Sequence, residues 1–195
     1  MEINLCGTRK SAEEEFSKEA AKIIAEGLLE LSGSKFLTLE TGGTIGFPEQ
    51  VVYHARKRNI STIRRAYTPV SNKEEWDEYK ALGIGDIKLY DYISFTPKPR
   101  QTTKENIRAK AMDRINRMLS SGDATIAYTR AGEPCTTKLE TQISAHLGIP
   151  TYVLTPGNRK ELQHEFEVVE KSPIKVYDDP IELLGELNKL IEKNG

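Results

Sequence analysis

Short apolar runs alternate with segments of helical period along the whole 195-residue chain, and this alternation is what most constrains its fold. Ile3 to Gly7 reads as a first strand. A helix over Ala12 to Leu31 keeps a helical spacing at Phe16, Ala20, Ile23, Ile24 and Leu28, with Ser11 as its cap and Glu14 as the capping-box partner. Lys35 to Glu40 is a second strand and Pro48 to Arg58 a second helix, whose proline suits a first turn that does not need its N–H. Ser61 to Thr68 reads as a third strand, Asn72 to Gly83 as a short helix, and Ile87 to Phe95 as a fourth strand with a bend. A polar segment, Thr96 to Thr103, leads into a long helix ending near Ser121. Ala124 to Thr129 and Thr151 to Thr155 are further strands, separated by a loop and helix over Cys135 to Gly148. A small strand, IKVY, and a helix from Pro180 to Lys193 complete the pattern.

Strands and helices alternating at this spacing predict one α/β domain over residues 1–195. Its sheet is mostly parallel, with about six or seven strands and helices on both faces. Ligands of such open sheets bind beyond the carboxyl ends of the strands. The segments CGTRK, TGGTIG, YTPVS, TPKPRQTT and TRAGEPCTT fall there, and all are rich in Gly, Thr, Pro or Arg.

Composition narrows the partners. The 28 basic and 29 acidic side chains leave a net charge of −1, which gives no electrostatic drive toward a nucleic acid polymer or an anionic membrane. No apolar run approaches the roughly 18 residues of a membrane helix, and the first ten residues lack a signal-peptide layout. Cys6 and Cys135 are too few for a disulfide framework, and His54, His146 and His164 form no evident metal cluster. The expectation is a cytoplasmic protein with no metal and no cofactor.

The loop TGGTIGFPE has the form GGxxG after the second strand, not the dinucleotide GxGxxG after the first. Gly42, Gly43 and Gly46 admit close backbone approach, and the helix that follows points its positive end at the loop. Together with Thr44 they form a candidate phosphate cradle; a tight turn with no ligand is the plain alternative. Arg114 lies at the edge of the apolar stripe formed by Ile107, Ala111, Ile115 and Met118. An arginine there either snorkels to solvent or meets a fixed anion. Glu140, expected in the first turn of its helix, is explained by the helix dipole or by a ligand at the strand ends. Thr136 and Thr137 either cap that helix or bind phosphate oxygens. Cys6 and Cys135 belong to strand-end regions, and no histidine is placed to activate either thiol.

Taken in order, LCGTRK, TGGTIGFPEQVVYHARK, RINRM ahead of DATIAYT, TTKLE and DDPIELLGEL resemble the Lonely Guy (LOG) family of phosphoribohydrolases. They also resemble the wider SLOG superfamily of Rossmann-like nucleotide-binding domains. TTKLE is similar to the end of that family's PGGxGTxxE motif, and RINRM to its ERKxxM stretch. The resemblance implies a Rossmann-like fold and a homodimer. It also implies cleavage of the N-glycosidic bond of a nucleoside 5′-monophosphate without metal or cofactor. Arg114 and Glu140 would do the chemistry. The carboxylate would stabilise an oxocarbenium-like state and orient water, while the arginine grips phosphate or ribose. Two other readings stand beside it: a nucleotide-binding or sensing domain without turnover, which many SLOG-type domains are believed to be, and a deoxyribosyltransferase-like enzyme.

The chain departs from the family pattern in three places. TRAGEPCTT replaces PGGxGT, bringing Arg130 as a further phosphate-binding candidate and Glu133, and keeping one glycine. Asp113 stands where the family has the glutamate before its arginine. Lys98 and Arg100, with Thr102 and Thr103, form either a lid over a phosphate or a solvated charged loop.

Overall fold

The first strand, β1 (Glu2–Gly7), runs in the middle of a seven-stranded sheet. On one side follow β2 (Leu37–Thr41), β3 (Thr62–Tyr67) and β4 (Tyr92–Ser94). On the other side follow β5 (Ala124–Tyr128), β6 (Thr151–Leu154) and β7 (Ile174–Tyr177). Every pairing is parallel, so this is a single Rossmann-like α/β domain. The computed structural model describes residues 1–33, 36–58, 62–68, 70–79, 85–96, 104–120, 122–133, 135–166 and 173–194.

Helices cover both faces. Ile3 and Leu5 of β1 join one core with α1 (Glu15–Ser32), α2 (Phe47–Lys57) and the last helix, α7 (Pro180–Asn194). Cys6, Ala127 and Val153 alternate to the opposite face and meet α4 (Lys104–Leu119), α5 (Thr136–His146) and α6 (Arg159–Glu165). The period of two along the strands therefore sorts side chains between two cores. β2, β5 and β6 are buried at every residue, as strands covered on both faces are.

Two predicted elements differ. Ile87 to Phe95 is not one strand: Ile87–Leu89 forms a 3-10 turn and only Tyr92–Ser94 pairs with β3. The Asp86 side chain accepts the Lys88 N–H at 3.0 Å, and that local bond competes with a sheet ladder. Ser11 does not cap α1. Arg9–Glu13 forms a 3-10 turn, and α1 starts at Glu15. The Ser11 hydroxyl donates to the Thr8 carbonyl at 2.6 Å and accepts the Phe47 N–H at 2.8 Å. β1 and β2 are neighbours, so the loop after one strand satisfies the helix start after the other. The short helix predicted over Asn72 to Gly83 is α3 (Lys73–Tyr79), and residues 80–84 lie outside the described residues, as do Lys98, Arg100, Thr102 and Thr103.

Strand order reverses between β1 and β5: β1 leads to β2 on one side, and β5 leads to β6 on the other. The connections diverge there and leave a crevice beyond the carboxyl ends of the two strands.

Candidate functional site

A cavity of about 70 Å³ occupies that crevice. β1 lines it with Leu5, Cys6 and Gly7, and the β2–α2 turn with Gly42, Thr44 and Pro48. Arg114 of α4 and Thr136 and Glu140 of α5 complete its wall.

Arg114 reaches the cavity because its neighbours are anchored. Ile115 and Met118 are buried against the second core, which turns the adjoining edge of α4 toward the strand ends. Its side chain is 13% exposed. Nη1 lies 3.5 Å from the Gly42 carbonyl, and Nη2 lies 3.5 Å from Oε1 of Glu140. Both distances are at the outer limit of hydrogen bonding. Nε is buried and has no hydrogen-bond partner among the described residues. A guanidinium carries five donors, so this one is held in place with much of its capacity unused. Gly42 permits the approach, since a Cβ there would stand 2.8 Å from Nη1.

Glu140 lies one full turn into α5, not in its first turn, because the helix begins at Thr136. It is 7% exposed, and its carboxyl is pushed up by burial, against the opposing pull of the Arg114 charge and of the neighbouring Cys6 thiol. The thiol of Cys6 is itself pushed well up, by burial first and then by the charge of Glu140, so it stays protonated. The N-cap residue of α5, Cys135, makes no capping hydrogen bond; its sulfur lies 3.2 Å from the Thr129 hydroxyl. The first N–H groups of α5 thus lack a side-chain cap beside Thr136 at the cavity wall.

Of the residues singled out in the sequence, Gly42, Thr44, Arg114, Thr136 and Glu140 line the one cavity. Gly43, Gly46, Thr137 and Arg130 do not. The Gly43 N–H donates to the Thr41 hydroxyl and its carbonyl accepts the Gly85 N–H, so it builds the turn. Gly46 adopts φ 134° at the N-cap of α2, where a Cβ would stand 2.5 Å from the Thr8 carbonyl. The Phe47 N–H that follows is already bonded to Ser11. Thr137 is buried, with its carbonyl accepting the Thr141 hydroxyl. Arg130 pairs with Glu14 at 3.0 Å, and Glu14 also accepts the Tyr128 hydroxyl.

The segment around Arg130 to Glu133 is tied down on several sides. Glu133 pairs with Lys10 at 3.2 Å, the Gly132 N–H donates to Glu165 at 2.7 Å, and Lys138 pairs with the same glutamate. Asp113 turns along its own helix to pair with Arg117 at 3.1 Å. Gly7 and Pro48 are lining residues the sequence did not single out. A Cβ on Gly7 would meet the Pro48 ring at 2.6 Å, and the only sequence trace of this contact is a strand-ending glycine and a helix-starting proline. Among the described residues, no three His, Cys, Asp or Glu side chains are grouped to hold a metal, and no helix is long and apolar enough to cross a membrane.

No family model matches the chain, and no curated protein matches it by sequence. Solved structures do match its fold. The molybdenum cofactor binding protein from Rippkaea orientalis is similar with a TM-score of 0.65 and 17% identity, over 97% of this chain and 96% of that one. The molybdenum cofactor carrier protein from Chlamydomonas reinhardtii is similar with a TM-score of 0.63 and 16% identity, over 98% of each chain. DNA processing protein A from Helicobacter pylori, described with a single-stranded DNA binding mode, is similar with a TM-score of 0.61 and 15% identity, over 97% of this chain and 80% of that one. At these identities the likeness is one of fold.

Proposed function

We propose that this chain is a binding protein for a small phosphate-bearing, nucleotide-like ligand, held in the crevice between β1 and β5. The observation that carries the reading is Arg114. A buried Nε without a hydrogen-bond partner among the described residues, and two terminal nitrogens at 3.5 Å from their acceptors, form a cation whose hydrogen bonds are left for an incoming anion. The uncapped start of α5 and the Thr44 and Thr136 positions on the wall suit the same anion. Fold neighbours named for binding the molybdenum cofactor make that ligand one candidate. A cavity of about 70 Å³ would hold the anionic end of a ligand and leave the remainder in the open crevice.

The second reading is LOG-like cleavage of an N-glycosidic bond, with Glu140 as the catalytic carboxylate. The shared wall of Arg114 and Glu140 supports it. Two features weigh toward binding: the carboxyl of Glu140 is held up by burial, and the segment bearing Arg130 is committed to ion pairs. The test incubates the protein with AMP, GMP, CMP and UMP and reads thermal unfolding and release of free base, with Arg114→Ala and Glu140→Ala alongside. Protection from unfolding without free base, lost in Arg114→Ala, is the expected result. Base released by the wild type and not by Glu140→Ala would replace the binding reading with the hydrolase.

A further inference from the structure

Arg114 and Glu140 share the wall of one cavity of about 70 Å³, and that volume sets a constraint on any anion that enters. Nη2 of Arg114 lies 3.5 Å from Oε1 of Glu140, so an anion that pairs with this nitrogen from within the cavity comes near that carboxyl. Glu140 is largely buried, 7% exposed. Among the described residues, the charged and titratable groups facing it are Arg114 from α4 and Cys6 from β1. Lys138 on the same helix is turned away onto Glu165. A single guanidinium cannot neutralise both a buried carboxylate and a dianion, and two like charges at such range are unfavourable in a largely buried site.

We propose that anion binding in this cavity is coupled to uptake of one proton by Glu140. The inference rests on the reading of the crevice as an anion site. The proton comes from solvent and ends on a carboxylate oxygen of Glu140; no bond to the anion forms. The neutral carboxyl can donate its O–H toward the anion, and the Arg114 charge is then matched by the ligand alone.

The experiment is titration calorimetry on the full chain in pairs of buffers with different ionisation heats, from about pH 5 to about pH 8. Inorganic sulfate and AMP serve as probes. Sulfate is fully ionised throughout, so any proton taken up on its binding goes to the protein. With AMP, the nucleotide's own ionisation is common to wild type and Glu140→Gln and cancels in the difference. The expected result is uptake approaching one proton in the wild type and none from the protein in Glu140→Gln. Affinity in the wild type should rise by up to tenfold per unit fall in pH within the range titrated. Binding of sulfate or AMP without proton uptake overturns the inference and leaves the anion site standing. Failure of both probes to bind at every pH overturns the anion site itself and the inference with it. The wild-type sulfate titration decides the coupling even if a variant does not fold.

Discussion

Nη2 of Arg114 and Oε1 of Glu140 approach to 3.5 Å across the end of β1, a contact between two helices that are separate in the sequence and share one crevice. The pair is too long for a strong ion pair, and its burial limits screening by water. It holds a cation and a carboxyl in place without saturating either.

Replacing Arg114 by lysine keeps the charge and removes the planar fork. Nucleotide binding should weaken by about tenfold or more, since a point charge cannot replace two directed N–H donors. Calorimetric titration with the nucleotide that most raises the unfolding temperature measures this; affinity equal to wild type would exclude fork-type recognition.

Gly42→Ala places a Cβ 2.8 Å from Nη1 of Arg114. The obstacle is the end of a flexible side chain, so folding stability should change by less than about 0.5 kcal/mol. Arg114 must shift, and anion binding should fall while urea unfolding stays close to wild type. A large loss of stability with binding intact would reverse this assignment.

Arg130→Ala should leave ligand binding unchanged. Its partner is Glu14 at 3.0 Å, and the guanidinium is about half exposed, so the lost pair is worth under about 1 kcal/mol. Loss of nucleotide protection in this variant would return Arg130 to the phosphate site.

Glu40 predicts a pH dependence of folding. It is fully buried in β2, accepts from Arg65 at 3.1 Å and from the Tyr67 hydroxyl at 3.2 Å, and its carboxyl is pushed up to about 7 by burial first and then by Glu2. A raised carboxyl lets the folded state hold its proton longer than the unfolded chain does. The stabilisation is therefore present in full below about pH 4.5 and is lost as pH rises through about 7. The change amounts to up to about 3 kcal/mol. Urea unfolding at both ends of that range should show the fall in wild type and a flatter profile in Glu40→Gln; equal slopes would assign the dependence to other groups.

Much of the architecture was legible along the chain because strands and helices are written in local periods. The runs at Ile3, Leu37, Ala124 and Thr151 became β1, β2, β5 and β6, and the placement of Pro48 and Pro180 in first turns matched α2 and α7. Ile87 to Phe95 misled because an apolar run reads the same whether it pairs as a strand or is turned inward by a local side-chain bond such as that of Asp86. Ser11 misled because a hydroxyl near a helix start looks like its cap whichever helix it serves.

By itself, then, the sequence determined that this chain forms a parallel α/β sheet and that glycines, threonines and an arginine gather at its strand ends, since both follow from residue order and side-chain type. Only the tertiary structure decided which of them meet. Placing β1 between β2 and β5 brought Gly42, Arg114 and Glu140 to one cavity, and turned Gly46 toward Thr8 and Arg130 toward Glu14. Which loops become neighbours depends on strand order, and strand order is settled by packing both faces of the sheet at once, a global condition that no local period records.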